Sequence, residues 1–226
     1  MYTDIEYGYV GGRVMKYGES LFDVLYLLFA IGSGILILRK ADDDAKRYMG
    51  YACLVLGCGD ALHLIPRVLN YFIDADFTKF LGVGKLITSI TMTIFYVFMY
   101  YIWLEVYDEE DDKKLSMVIY TLAAVRIILC LFPQNGWLEN SSDIFWAILR
   151  NVPFVLLGGI IIWLYYRKRN EDPDLKWTWL LTLLSFAFYM PVAVGAGVIP
   201  ALGMLMLPKT VCYIKMIWSF IKYSKR

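Results

Sequence analysis

The stretch RYMGYACLVLGCGDALHLIPRVLNYF, residues 47–72, has the length and apolar content of a helix that crosses a lipid bilayer. Asp60, His63 and Arg67 follow one another at intervals of three and four residues, so they share one face of that helix. A charged side chain at depth in a bilayer costs about 2.5–3.5 kcal/mol on insertion scales. This face must therefore turn toward other protein or toward water, which predicts a helix inside a membrane-embedded bundle.

The rest of the chain repeats this pattern of long apolar stretches. The 226 residues are 59% hydrophobic, and the mean hydropathy is +0.54, whereas a soluble domain is nearer half apolar. The fold class we expect is all-α, a polytopic membrane protein with a single seven-helix domain over residues 1–226. The expected helices span about 18–39, 47–72, 80–104, 115–132, 144–166, 176–198 and 201–222.

Basic residues collect in alternate loops between these stretches. The first, third and fifth loops and the C-terminus carry Arg39, Lys40, Lys46, Arg47, Lys113, Lys114, Arg167, Lys168, Arg169, Lys176, Lys222, Lys225 and Arg226. The second loop holds only Lys79, and the fourth has neither lysine nor arginine. The positive-inside rule then predicts a multi-pass protein of the plasma membrane, with its N-terminus outside and its C-terminus in the cytoplasm.

With that orientation, most ionisable residues within the apolar stretches lie in their outer halves. Facing lipid they would be untenable together, so we expect them to pair or to line an outward-facing polar pocket. The candidate ligand-binding residues are Glu19, Asp23, Asp60, His63, Arg67, Lys85, Arg126 and Lys209. Basic residues outnumber acidic ones, which favours an anionic ligand. Arg150, close to the interface, is the arginine we expect to snorkel to the headgroups instead.

Two interpretations of helix 2 remain open. Its charged face could form an interhelical salt-bridge ladder, or it could form a ligand or proton-relay site. Pro66 removes the amide that would bond the Leu62 carbonyl, which predicts a kink and a free acceptor beside the charged face. On helix 1, Glu19 and Asp23 lie four residues apart and could neutralise Lys85 or Arg67. His63 is the single histidine, so we expect no metal, and no cofactor is expected either.

A faint parallel repeat relates helices 1–3 to helices 5–7, with helix 4 as linker. Pro66 corresponds to Pro191, and Lys85 corresponds to Lys209. This three-plus-one-plus-three layout resembles the SWEET-type sugar transporters, whose two repeats carry prolines on four helices. Pro66, Pro153 and Pro191 match three of those prolines, and helix 1 has none.

The layout also resembles the microbial rhodopsins. The loop DDDAKRY at 42–48 is similar to theirs between helices 1 and 2, and Tyr189 and Pro191 are similar to their helix 6. Pro200 precedes Lys215 at nearly the spacing of the retinal lysine, so the resemblance implies Lys215 as the Schiff base. The sequence departs from that family where carboxylates and tryptophans are expected, at Thr88, Ser89, Phe186 and Val211.

The leading expectation is binding, sensing or transport of a small anionic molecule in the outward pocket. An intramembrane enzyme acting on a lipid or isoprenoid is one alternative, and a retinal protein is another. Whether the protein is an enzyme stays open, because no spacing names a reaction. Expected partners are membrane lipids and the small-molecule ligand. The net charge of +1 does not point to nucleic acid. A homo-oligomer is left open.

Overall fold

The computed structural model describes residues 3–139, 143–195 and 199–226, and these residues form helices and turns without a strand. Seven α helices are long and apolar enough to cross a membrane. They are α1 (Thr3–Arg39), α2 (Asp44–Phe72), α3 (Thr78–Val106), α4 (Lys113–Leu131), α5 (Ile144–Arg167), α6 (Thr178–Gly195) and α7 (Met206–Ser224). Short 3₁₀ turns occupy Pro133–Asn135, Trp137–Glu139 and Pro200–Leu205. The predicted all-α class with seven membrane-length helices is confirmed.

The predicted ends of α2 to α5 lie within three residues of the observed ones. Helix α1 begins much earlier than predicted because it continues through the polar residues before its apolar part. Helix α7 begins later because the 3₁₀ turn Pro200–Leu205, with its proline and glycine, precedes it. The predicted end of the sixth span, 196–198, lies outside the described residues.

The helices form a closed ring in chain order. Each helix packs against the next one along the chain, and α7 closes the ring against α1 and α2. Helix α3 also contacts α5 across the bundle. We call the end where the odd-numbered helices begin the N-terminal face, and the other end the C-terminal face. Helix α2 lies between α1 and α3, as α6 lies between α5 and α7.

Glycines allow three of these helices to approach closely. On α1 and α2, Gly34 and Gly50 face each other, and a Cβ on Gly34 would come within 3.0 Å of the Gly50 carbonyl. On α3, a Cβ on Gly84 would meet the Leu62 carbonyl and come within 2.7 Å of the His63 Cα. The Leu62 carbonyl, which Pro66 frees from its helical bond, therefore lies against α3.

A layer of aromatic side chains fills the middle of the bundle. We call Phe95, Tyr96, Phe154, Phe186 and Tyr213 the aromatic layer. All five are buried, and the rings of Phe154 and Phe186 lie 4.8 Å apart. The Tyr96 hydroxyl is 3.4 Å from the Tyr213 hydroxyl, so the layer joins α3 to α7. This layer separates the polar residues of the N-terminal face from the C-terminal face.

Ion pairs tie the loops of the C-terminal face together. Lys168 Nζ lies 2.7 Å from Glu109 Oε1, which links the loop after α5 to the loop after α3. The hydrogen bonds from Lys168 to Glu109 and Glu171 raise the pKa of the ammonium group. A hydrogen bond from Lys46 lowers the pKa of the Asp42 carboxyl in the loop between α1 and α2.

Candidate functional site

The predicted site residues gather at the N-terminal face in two groups. The acidic group lies on α1 and α2 and comprises Glu19, Asp23, Asp60 and their partner Arg67. The basic group lies on α4, α5 and α7 and comprises Arg126, Arg150 and Lys209. His63 and Lys85 lie between the two groups. The charges of Arg67, Lys85 and Lys209 are all close enough to act on the His63 imidazole.

Arg67 is neutralised within the acidic group. Its guanidinium forms an ion pair with the Glu19 carboxylate, and both side chains are largely buried. The other Glu19 oxygen accepts a hydrogen bond of 2.9 Å from the Tyr71 hydroxyl. Of the two partners expected for Glu19, the structure therefore selects Arg67. An arginine held in this way joins α1 to α2 and is not available to an incoming anion.

Asp60 pairs with a tyrosine rather than with its neighbours on α2. The Tyr26 hydroxyl donates a hydrogen bond of 2.7 Å to Asp60 Oδ2, and both residues are buried. Asp23, one turn from Tyr26 on α1, is only 5% exposed. Its Oδ2 is buried and has no hydrogen-bond partner among the described residues. Asp23 is influenced by the charges of Arg67, Glu19 and Asp60.

His63 and Lys85 occupy the boundary between α2 and α3. His63 is partly buried and its Nδ1 has no hydrogen-bond partner in the described ranges. Its imidazole also lies against the Leu81 backbone of α3. Lys85 is exposed at the side of α3, where the positive charges of Arg150 and Arg67 act on its ammonium group. Asp60 bonds Tyr26 and Arg67 pairs with Glu19, both on α1, so the charged residues spaced three and four apart on α2 find these partners on another helix.

Arg126 is the most deeply buried charged side chain of the described residues, with 1% of its surface exposed. Its guanidinium carbon lies 3.2 Å from the centre of the Phe154 ring on α5. Its Nη1 donates to the Asn151 amide oxygen across 3.4 Å, and the Tyr189 hydroxyl lies beside it. Its Nε is buried without a hydrogen-bond partner in the part of the chain that is described. These partners are all uncharged.

Arg150 lies inside the bundle, which differs from the expectation that it snorkels to the headgroups. Arg150 is 8% exposed. Its Nη1 donates a hydrogen bond of 2.6 Å to the Asn135 amide oxygen, and its guanidinium carbon lies 4.5 Å from the centre of the Trp137 ring. Asn135 in turn donates to the carbonyls of Leu129 and Phe132 at the end of α4. The turn after α4 therefore folds inward and covers Arg150 from the headgroup side.

Lys209 brings α7 to the same region. It is 8% exposed, and its Nζ lies 5.1 Å from the Tyr189 ring and 5.3 Å from the Tyr213 ring. Both contacts are cation–π interactions with uncharged partners. Lys209 also acts electrostatically on Asp60, so it connects the basic group to the acidic group.

Lys215 does not share this position. It lies on the exposed side of α7, whereas Cys212, Tyr213, Met216 and Ile217 face the interior. A Schiff base at Lys215 would therefore project away from the bundle core.

A groove runs along the outside of the bundle between α5 and α6, with a volume of about 210 Å³. Its walls are apolar except at Asn151, and its lining residues are Ile148, Asn151, Val152, Val155, Leu156, Met190 and Val194. Asn151 is 1% exposed, and its amide oxygen accepts from Arg126 and, across 3.1 Å, from the Tyr189 hydroxyl. Asn151 is thus shared between the groove and the basic group.

In comparisons with protein-family models, curated proteins and solved structures, nothing matches the chain. The geometry of the N-terminal face is therefore the basis for assigning a function.

Sequence reasoning found the charged residues of this face and missed their tyrosine and asparagine partners. A signal existed for two of the tyrosines. Tyr26 follows Asp23 by three residues and Tyr71 follows Arg67 by four, so each tyrosine lies on the charged face of its helix. Asn135 had no such signal, because its role depends on how the turn after α4 folds back.

Proposed function

We propose that this protein binds a small anionic molecule at its N-terminal face, between α4, α5, α6 and α7. The observation that supports the proposal is the burial of Arg126 without an ion-pair partner among the described residues. A buried arginine normally has a carboxylate or several strong acceptors around it, because an isolated buried charge is costly. Arg126 has an aromatic face, one long bond to an amide oxygen, the neutral Tyr189 hydroxyl and a buried Nε without a partner in the described ranges.

The charge balance around Arg126 supports an anion as the missing partner. The ion pairs of the described residues use Arg67 but include neither Arg126 nor Lys209. The contacts that these two residues make are with tyrosine, phenylalanine and asparagine. A carboxylate or phosphate would give Arg126 a bidentate, charge-assisted partner that its uncharged surroundings do not provide.

The proposed site is one-sided. The aromatic layer lies between the basic group and the C-terminal face, and the hydrogen bond between Tyr96 and Tyr213 crosses it. This arrangement favours binding or sensing over passage through the bundle, and we keep transport as the less favoured form of the same proposal. The loop charges favour a plasma-membrane protein with the N-terminal face outside.

The test uses purified protein in bicelles and three probes: inorganic phosphate, sulfate and acetate. A ligand that binds only the folded state raises the melting temperature with its concentration. We expect at least one probe to stabilise the wild type and to lose its effect in Arg126→Gln. The matched control is Arg167→Gln at the C-terminal face, where the guanidinium lies 4.8 Å from the Trp163 ring in a similar cation–π contact.

Two outcomes would contradict the proposal. One is that none of the three anions stabilises the wild type. The other is that Arg126→Gln and Arg167→Gln respond to the anions just as the wild type does, since the effect would then be a general one of salt on the protein.

A further inference from the structure

The groove between α5 and α6 is too small to enclose a whole ligand. Its volume of about 210 Å³ is below the roughly 300–1,000 Å³ of sites that enclose small molecules. From Ile148 to Leu156 it extends about 12 Å along α5, at 1.5 Å per residue. It opens on the bundle surface, with Val152 and Leu156 about half exposed. An occupant would therefore lie partly in the groove and partly in the surrounding lipid.

The chemistry of the groove is apolar along its length and polar at one position. Val155, Leu156, Met190 and the other lining side chains are hydrocarbon or thioether, and Asn151 is the exception. Asn151 lies in the half of α5 nearer the N-terminal face, with Ile148 and Val194 on its headgroup side and Val155 and Leu156 toward the bilayer centre. An occupant with one polar end would therefore place that end beside Asn151 and its hydrocarbon chain along Val155 and Leu156.

The polar position connects directly to the buried charge. Asn151 is hydrogen-bonded to both Arg126 and Tyr189, so the guanidinium is one side chain away from the groove. The Tyr189 hydroxyl can donate to an anion, whereas the Asn151 amide oxygen only accepts and would have to give up its bond from Arg126 to one.

We infer that the anionic ligand is a single-chain amphiphile, whose hydrocarbon chain lies in the groove between α5 and α6 and whose anionic head accepts hydrogen bonds from Arg126 and Tyr189, beside Asn151. The inference rests on the proposed function and adds the chemical class of the ligand and its route. The ligand reaches the site sideways from the lipid. Because the groove binds the hydrocarbon chain, an anion with such a chain should bind more tightly than a free anion does.

The experiment compares two probes with the same carboxylate head, dodecanoate and acetate, and a third with the same chain and a neutral head, dodecanol. Binding is measured on the full chain in nanodiscs by native mass spectrometry and by thermal stabilisation. In the wild type we expect dodecanoate to bind at least about tenfold more tightly than either acetate or dodecanol, because both the chain and the head contribute contacts.

Variants assign the two contributions. Val155→Trp fills the groove and should reduce dodecanoate binding to the level of acetate, and Val152→Phe, one turn nearer the N-terminal face, should act in the same direction. Ile128→Trp is the matched control, since it adds the same ring to an exposed position on α4. Arg126→Gln should remove the preference for dodecanoate over dodecanol. Two independent groove variants keep the test decisive if one of them fails to fold.

The outcomes separate this inference from the proposed function. If acetate and dodecanoate bind equally and both need Arg126, the anion site stands and the amphiphile inference is wrong. If dodecanoate binding depends on the groove but not on Arg126, the head is not recognised and the inference is wrong. If no anion of either kind binds, both proposals are wrong.

Discussion

Replacing Arg126 by methionine should leave the stability of the ligand-free protein almost unchanged, although it removes the most deeply buried charge of the described residues. Methionine has a similar length and no charge, so it refills the space against Phe154. We expect this behaviour because the arginine is present for a ligand and is poorly compensated without one. The matched substitution is Arg67→Met, at the arginine that already has its carboxylate.

The magnitudes follow from the contacts of each arginine. For Arg126, the variant recovers a desolvation cost of about 2.5–3.5 kcal/mol. It loses a cation–π contact with Phe154 of about 2 kcal/mol and the hydrogen bonds to Asn151 and Tyr189, which together contribute about 1–2 kcal/mol. These terms nearly cancel, so the free energy of unfolding should change by less than about 1 kcal/mol.

For Arg67 the result should be different. Its removal breaks the ion pair with Glu19 and leaves that partly buried carboxylate with the hydrogen bond from the Tyr71 hydroxyl. The expected loss is about 1.5–3 kcal/mol for a partly buried pair. At about 2–4 °C per kcal/mol for a chain of this size, the melting temperature should fall by about 3–12 °C.

The assay is thermal unfolding followed by circular dichroism, in one lipid composition and without added anion. Glu19→Gln combined with Arg67→Met should recover part of the loss, because the stranded charge is then absent. If Arg126→Met destabilises the protein as much as Arg67→Met does, the reasoning is refuted. Arg126 would then be a structural residue that holds α4 to α5, and the anion site would lose its main support.

Three further predictions concern the fold. Gly84→Leu should lower stability by about 1–3 kcal/mol through overpacking of α3 against α2, whereas Gly159→Leu, which meets nothing within 4 Å, should have little effect in the same melting assay. The hydrogen bond from Lys46 lowers the pKa of Asp42, so its contribution to stability is present above the unfolded pKa of about 3.9 and is lost as the pH falls through the lower folded value. Melts at pH 7 and pH 3 should therefore converge between wild type and Asp42→Asn at the lower pH, and an unchanged difference would contradict the assignment. Asn135→Ala should destabilise the protein by about 1–3 kcal/mol, because the hydrogen bonds of the amide to the buried Arg150 and to the carbonyls at the end of α4 are lost; an unchanged melting temperature would contradict this role of Asn135.

The sequence predicted the seven helices because each apolar stretch is long enough to cross a bilayer, and hydropathy detects that length directly. It also placed Asp60, His63 and Arg67 on one face of α2 from their spacing. It could not give the rotation of one helix against another, which decides the partners. Asp60 therefore bonds Tyr26 of α1, although His63 is its neighbour on the same helix face.

The two arginines of the basic group show the same limit. Arg126 was predicted to be buried from its position within an apolar stretch, and it is buried. Arg150 lies nearer a helix end, where a long side chain commonly reaches the headgroups. Whether it does so depends on the turn that follows α4, and the hydrogen bonds of Asn135 fold that turn over the arginine. The spacing of residues within one helix does not show whether a turn from another part of the chain folds over them.

The contact between Gly34 and Gly50 gives α1 and α2 unequal freedom at their two ends. In the half toward the C-terminal face the two backbones touch, and a Cβ on Gly57 would likewise come within 2.8 Å of the Ile31 side chain. In the half toward the N-terminal face the helices are spaced by long side chains, the ion pair of Glu19 with Arg67. The two helices are therefore held at a fixed distance by the glycine contact at one end. At the other end their distance depends on the rotamers of Glu19 and Arg67. A change in distance between α1 and α2 is therefore expected to be smallest at the glycine contact and to grow toward Glu19 and Arg67.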